Sequence, residues 1–374
     1  MKTITKLKIL TISAMVVFSA CQKEPVYPEI ATLESTATLG SEIGKTADRW
    51  EKIEGLPEGP VFNLSYENGE ILALGNSSRF QINPSSLKVR GDNFGSFTED
   101  YSTTLNKVLF TKISSSSIFV FNTENPKVFS TLDMQKLDEQ FDRFISLPGC
   151  YSNALAASKN NIFLTAYARQ KSPDRSAGAL INLVVFQGSL SKSGNVVISE
   201  AKTIPVKGLY SDARLLTVFS WEEKFIVSFD SMTIIVCQDG FYHQVSDQSI
   251  FEIIPFKGVL VGFGVDQMLL SRDGGVTWNT LTRNKPGNFQ YWMQKGFQFG
   301  NELITSSPTA IYQIDLKIDD SGFYVKQIPA EEIGLYKEHV IYDMAIVNNK
   351  LYLATSKGIF FRPMENRNSR LTKN

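Results

Sequence analysis

Polar aromatic side chains recur in this chain beside amides, acids and an arginine. They are Tyr101, Tyr151 with Asn153, Tyr210 with Asp212 and Arg214, Tyr291 with Trp292, and His339 with Tyr342 and Asp343. Flat rings stack on the CH faces of sugars while Asn, Asp and Arg take the hydroxyls; the same groups suit a peptide equally. The plain alternative is that these side chains plug a channel and cap strand ends. The segment Arg169 to Ser176 adds three cations in one polar stretch, either a lip for an anionic partner or a solvated loop.

Other chemistries find little material. The only histidines, His243 and His339, are far apart, so we expect no metal site, and no motif calls for a cofactor. Beyond Cys21 there are Cys150 and Cys237. These could pair in an oxidising compartment but fall in different predicted units; Cys237 ends an apolar run and reads as a small buried hydrophobe. Formal net charge is zero and the charges are evenly spread, which leaves no electrostatic footprint for nucleic acid.

The elements that must position these residues are short strands. Tight turns recur at Asn68-Gly69, Asn106-Lys107, Asn160-Asn161, Glu222-Glu223, Lys257-Gly258, Gly300-Asn301 and Asn348-Asn349, each followed by an apolar strand and then by a third. The spacing averages roughly mid-forties, the size of a four-stranded blade. Helical periodicity is nearly absent; Leu137, Phe141 and Phe144 predict one connecting helix within Leu132 to Phe144. Arg49-Trp50-Glu51-Lys52-Ile53 is a strand with no partners before it, and the last unit, His339 to Pro363, lacks a fourth strand. Pairing the two removes exposed edges. A pair of β-sandwiches or a β-solenoid would also show many short strands, but not matching ends.

Ser271-Arg272-Asp273-Gly274-Gly275-Val276-Thr277-Trp278 carries the most specific pattern, S-x-D-x-G-x-x-W. Short oxygen-bearing side chains can bond a tight turn, the glycines can take positive φ, and the indole can fill a wedge between sheets. The stretch resembles the Asp-box, or BNR repeat, of sialidase-like proteins. That resemblance implies an all-β fold, a β-propeller of four-stranded antiparallel blades; the seven recurring turns make it seven-bladed, and the matching ends close the last blade with the N-terminal strand. It also makes Ser271, Asp273, Gly275 and Trp278 structural rather than ligand-binding.

At the N-terminus, Lys2, Lys6 and Lys8 precede the apolar run Ile9 to Phe18 and then Ser19-Ala20-Cys21. A basic flank, a short apolar core and small residues form a secretory signal. Phe18 to Cys21 resembles a bacterial lipobox, which implies lipidation of Cys21. Gln22-Lys23-Glu24 resembles the signals that send some Bacteroidetes lipoproteins to the cell surface. The expected organisation is a signal peptide over 1–20, a flexible tether over 21–47, a propeller over 48–366 and a tail over 367–374.

The expected function is a non-catalytic envelope lipoprotein, at the outer membrane or exposed on the cell surface. The membrane would be met through the Cys21 anchor, and the domain would be monomeric. One propeller face would bind a glycan, a peptide or a partner protein through Tyr151, Asn153, Tyr210, Asp212, Arg214, Tyr291, Trp292, His339 and Tyr342. Trp221, at a first-turn tip, belongs to the opposite face. A glycoside hydrolase or lyase is the alternative, and a structural part of an outer-membrane assembly a further one. Sialidases clamp a carboxylate with three arginines and use a tyrosine activated by a glutamate. Their early Arg-Ile-Pro is absent here, Arg79, Arg214 and Arg362 lack the flanking patterns, and Tyr342 with Glu338 makes a weak nucleophile pair.

Overall fold

The computed structural model describes residues 50–75, 78–93, 102–105, 108–145, 154–170, 179–210, 213–264, 267–283, 295–307, 309–317, 322–328 and 340–364. Contacts divide the chain into Met1–Glu42 and Ile43–Asn374, and all the described residues belong to the second unit. Cys21, the signal and tether segments, Cys150 and the tail lie outside them.

The second unit is a seven-bladed β-propeller. β1 (Glu51–Lys52) comes first and is used last. Blade 1 holds β2 (Val61–Glu67), β3 (Glu70–Gly75), β4 (Ser78–Ile82) and β5 (Val89–Asn93). Blade 2 holds β6 (Ser102–Leu105), β7 (Leu109–Ser114), β8 (Ser117–Asn122) and β9 (Phe129–Asp133). Then come a helix, α1 (Met134–Leu137), and blade 3, with β10 (Phe141–Phe144), β11 (Leu155–Ala157), β12 (Ile162–Gln170), β13 (Ala179–Leu190) and β14 (Val196–Tyr210). Blade 4 is β15 (Leu215–Trp221), β16 (Lys224–Phe229), β17 (Thr233–Cys237) and β18 (Tyr242–Ser246). Blade 5 is β19 (Ile250–Phe256), β20 (Val259–Gly264), β21 (Met268–Ser271) and β22 (Asn279–Arg283). Blade 6 is β23 (Lys295–Phe299), β24 (Glu302–Ser307), β25 (Ala310–Lys317) and β26 (Gly322–Ile328). Blade 7 is β27 (Ile341–Val347), β28 (Lys350–Thr355) and β29 (Gly358–Pro363).

Each blade is an antiparallel meander, and the innermost strands touch in the order β2, β6, β11, β15, β19, β23, β27 and back to β2. That closed sequence of contacts makes the ring. β1 completes blade 7 by pairing with β29, Glu51 opposite Phe361 and Lys52 opposite Phe360. Trp50 is buried beside Ile341, Leu351 and Phe360, with the Arg362 guanidinium 5.5 Å from its ring centroid. The expected closure is therefore the observed one. Blades 5 and 6 are further joined by a short parallel pairing of β22 with β26.

The local reasons are those the turns announced. Asn68, Asn161, Glu222, Lys257, Asn348 and Asn349 all take positive φ at first-to-second-strand turns, conformations that asparagine tolerates better than most residues. Alternating apolar side chains then bury against the neighbouring blade on either side, so the core is a set of inter-blade layers rather than one centre. Cys237 is half-buried, less enclosed than the sequence suggests.

One expectation fails. The predicted helix over Leu132 to Phe144 is only α1, capped by Asp133 through its bonds from the Gln135 and Lys136 N–H groups. Phe141 and Phe144 belong instead to β10, which pairs with β12 through a register shift between Phe141 and Arg143. The irregularity lets both rings bury at a three-residue spacing, which in the sequence imitates a helical step.

Candidate functional site

Strand direction divides the ring into two ends. Inner strands run from an upper end, where the second-to-third-strand turns and the inter-blade connections lie, to a lower end with the first-to-second and third-to-fourth turns. Of the polar aromatic groups of the sequence, Arg214 and Tyr342 stand at the upper end.

Four inner strands begin with the same irregularity. Register shifts fall between Val61 and Asn63, Leu215 and Thr217, Ile250 and Glu252, and Ile341 and Asp343. Each inserts one extra residue: Phe62, Leu216, Phe251 and Tyr342. Such bulges re-aim side chains at a strand end. Here they aim them at the next blade: the Phe62 and Tyr342 ring centroids lie 5.0 Å apart across blades 1 and 7, and Phe251 packs on Leu216 across blades 5 and 4. The residue after each bulge, Asn63, Thr217, Glu252 or Asp343, is polar and buried.

Asp343 is the best connected of these. It is fully buried; one carboxylate oxygen accepts from the Leu64 N–H at 2.8 Å and the other from the Met344 N–H at 2.8 Å. The Lys295 ammonium stands 3.3 Å from the second oxygen, with 26% of the lysine side chain still exposed. Burial pushes the Asp343 carboxyl above the ordinary aspartate value, against the pull of Lys295 and of the two N–H donors. Burial alone would lower the Lys295 ammonium, but the charges of Asp343 and Glu252 outweigh it and hold it above the ordinary lysine value. A polar belt thus runs across four consecutive blades, from Glu252 through Lys295 and Asp343 to the Leu64 backbone. Gly296 makes room for it: a Cβ there would stand 1.8 Å from the Ile254 side chain, so only glycine lets β23 approach β19 this closely.

Of the upper-end residues singled out in the sequence, Arg214, Tyr342 and Asp343 are described in full, and Asp343 is buried in the belt rather than open to a ligand. Arg214 precedes β15 at the upper end, 65% exposed, and its Nε lies 3.4 Å from Asp230, which follows β16. Tyr342 is half-buried against Phe62. Tyr210 closes β14 at the same end, with only its backbone described. Tyr101, Tyr151, Asn153, Asp212, Tyr291, Trp292, Glu338 and His339 lie outside the described residues, as does most of the cationic loop after Gln170. Arg79, Arg214 and Arg362 do not gather. They stand on blades 1, 4 and 7, and Arg362, opposite Leu351, is near the lower end. The sequence reading missed Lys295, Glu252, Asn63 and Thr217. For Asn63, Thr217 and Glu252 the signal was an apolar pair followed by a polar residue at the head of an inner strand, as in Val61-Phe62-Asn63, Leu215-Leu216-Thr217 and Ile250-Phe251-Glu252; Lys295, after Met293-Gln294, carries no such signal.

The Ser271–Trp278 turn joins β21 to β22 at the lower end. Asp273 accepts from the Thr277 N–H and hydroxyl at 2.9 and 2.6 Å and from the Ser271 hydroxyl at 2.8 Å; Ser271 Oγ accepts from the Gly275 N–H at 2.8 Å. Those donors outweigh burial and hold the Asp273 carboxyl below its ordinary value. Gly275 has φ +94°, and a Cβ there would meet Ile226 of blade 4 at 2.5 Å. Trp278 packs in the wedge between blades 4 and 5 beside Ile226, Ile250 and Leu269, its Nε1 donating to Gly275 O at 2.9 Å. The polar side-chain groups of Ser271, Asp273, Thr277 and Trp278 are spent on the turn itself.

No family model matches the chain, and no curated protein matches it. Solved structures do share its fold. The CNH domain of AfRom2 superposes with a TM-score of 0.52 at 8% identity, covering 85% of this chain and 100% of that one. The WD40 domain of Neurospora crassa Pan2 gives 0.51 at 11% identity, covering 86% and 97%. A chain of a mitotic checkpoint complex gives 0.51 at 11% identity, covering 92% and 100%. The shared property is the propeller. At these identities the likeness extends to fold alone, and function has to be argued from this chain's own surface.

Proposed function

We propose that this protein is a non-catalytic envelope lipoprotein, anchored through Cys21, whose propeller binds a glycan, a peptide or a partner protein at its upper end. The observation that carries the reading is the placement of Arg214 and Tyr342 at the end where β14 finishes with Tyr210. In the sequence, the remaining polar aromatics fall in the stretches that precede the inner strands β6, β11, β15, β23 and β27. An exposed guanidinium beside a carboxylate and partly open aromatic rings are the groups that orient a polyhydroxylated or peptidic ligand. Hydrolysis would need two carboxyls able to exchange protons with a substrate. Asp343 spends both oxygens on Leu64, Met344 and Lys295, which suits a packing role.

Anchoring and binding are tested separately. Palmitate label should enter the wild-type chain and not Cys21→Ser; label persisting in that variant removes the anchor. In a pull-down from glycan and envelope-protein mixtures, Arg214→Ala should lose captured material that Trp221→Ala retains. Equal capture by both variants removes the upper end as the binding face.

A further inference from the structure

Arg214 and Asp230 meet at the upper end of blade 4 with much of their bonding capacity unspent. The contact between their side chains is a single bond, Arg214 Nε to Asp230 Oδ2 at 3.4 Å, long for opposite charges. The two side chains are 65% and 31% exposed, so the pair contributes little to stability. Among the described residues, nothing else donates to the Asp230 carboxylate and nothing accepts from either Nη of Arg214. Backbone bonds hold both residues in place. The Asp230 N–H donates to Arg214 O at 3.1 Å, and Asp230 O accepts from the Ser249 hydroxyl at 2.8 Å. The Phe229 N–H closes the turn on Met232 O at 2.8 Å, and the Ile250 N–H bonds the Ser228 hydroxyl at 2.8 Å, which ties this corner to blade 5. Two charged heads are thus carried on a fixed main chain.

Charge and donor type define their complement. The guanidinium keeps the donors of both Nη groups, and the carboxylate keeps its Oδ1 as an acceptor. A hydroxyl both donates and accepts. Two adjacent hydroxyls can therefore satisfy the pair together, one donating to Asp230 while its neighbour accepts from Arg214. The formal charges cancel, so an anion drawn to Arg214 is repelled by Asp230 beside it. A peptide main chain is held by a ladder of backbone bonds at a sheet edge, which two side-chain heads do not supply.

We propose that Arg214 and Asp230 form a recognition pair for adjacent hydroxyls of an uncharged sugar residue, with Asp230 a ligand-binding residue as well as the counter-ion of Arg214. This rests on the upper end being the binding face and narrows its ligand to neutral glycan.

The test places the full chain on an array of uncharged oligosaccharides of mannose, glucose, galactose and xylose, beside oligouronates, sulfated oligosaccharides, and neutral and acidic peptides. The wild type should retain uncharged glycan, with an affinity that changes by less than about twofold between low and high salt. Arg214→Ala and Asp230→Ala should each weaken that retention about tenfold. Both should melt like the parent, because backbone bonds fix the turn. Asp230→Asn keeps the shape, should lose retention as well, and replaces the alanine variant if that one melts early. The double variant should lose less than the product of the two single losses, since both groups act on one hydroxyl pair. Retention of acidic probes or peptides alone, retention of nothing on the array, or retention abolished by high salt overturns the proposal. So do single losses that simply multiply. Loss in Arg214→Ala with none in Asp230→Ala or Asp230→Asn sinks the pair and leaves the upper end as the binding face. Glycan retained equally by all these variants sinks the face, and the pair falls with it.

Discussion

Lys295, the first residue of one inner strand, and Asp343, the residue after the bulge in the next, form an ion pair at 3.3 Å between blades 6 and 7. The pair sits where the ring must also close onto blade 1, because the same carboxylate holds the Leu64 N–H. A buried pair of this kind is a weak source of net stability but costly to break from one side.

Asp343→Asn leaves the Lys295 ammonium with only Glu252 and weakens the bond to Leu64. We expect a loss of about 3 kcal/mol in urea unfolding. The double replacement Lys295→Met with Asp343→Leu also orphans the Leu64 and Met344 N–H groups, so it should still destabilise, but by less than the sum of the two single replacements. Strictly additive losses would show that the pair is not coupled.

The pH dependence follows from Lys295, whose ammonium is raised in the fold. Its contribution is complete below the unfolded lysine value of about 10.4 and is lost as pH climbs through the higher folded value. Thermal melts of the wild type should therefore fall faster above pH 10 than those of Lys295→Met. Asp273, lowered in the fold, acts at the other extreme: its contribution is present above the unfolded aspartate value and disappears as acid carries it below the folded one.

Trp50→Ala empties a buried position and removes the ring under Arg362. A cost of about 3–5 kcal/mol is expected, with aggregation as the β29 edge opens. Melting indistinguishable from the parent would mean that β1 does not hold the ring shut.

Asp273→Ala removes the acceptor for Thr277 and Ser271 and should cost about 1 kcal/mol. Binding at the upper end should survive at every temperature where circular dichroism shows an intact fold. Lost binding in folded protein would bring this turn into the site.

Tyr342→Ala and Arg214→Ala separate packing from recognition at the upper end. The tyrosine should lower stability, because Phe62 loses its inter-blade neighbour. The exposed arginine should leave melting unchanged while weakening a captured ligand by about 1–3 kcal/mol, if that ligand is anionic or polyhydroxylated. Calorimetry on both variants reads the two effects apart.

What the sequence determined by itself was local. Asn68-Gly69, Asn348-Asn349 and the other short turns mark strand ends because their backbone conformations favour these residues, and the Ser271–Trp278 pattern supplies its own bonding partners within eight positions. Trp50 announced the closing strand because an apolar strand without neighbours in sequence must find some in space. The helix expectation failed at Phe141 and Phe144, where a bulge turns strand spacing into a helical imitation. Tertiary structure alone decided which blade each bulged residue leans on, and that Leu64 and Asp343, 279 positions apart, share a hydrogen bond. Those relations depend on ring closure, which brings distant inner strands side by side, and no spacing within a single blade encodes them.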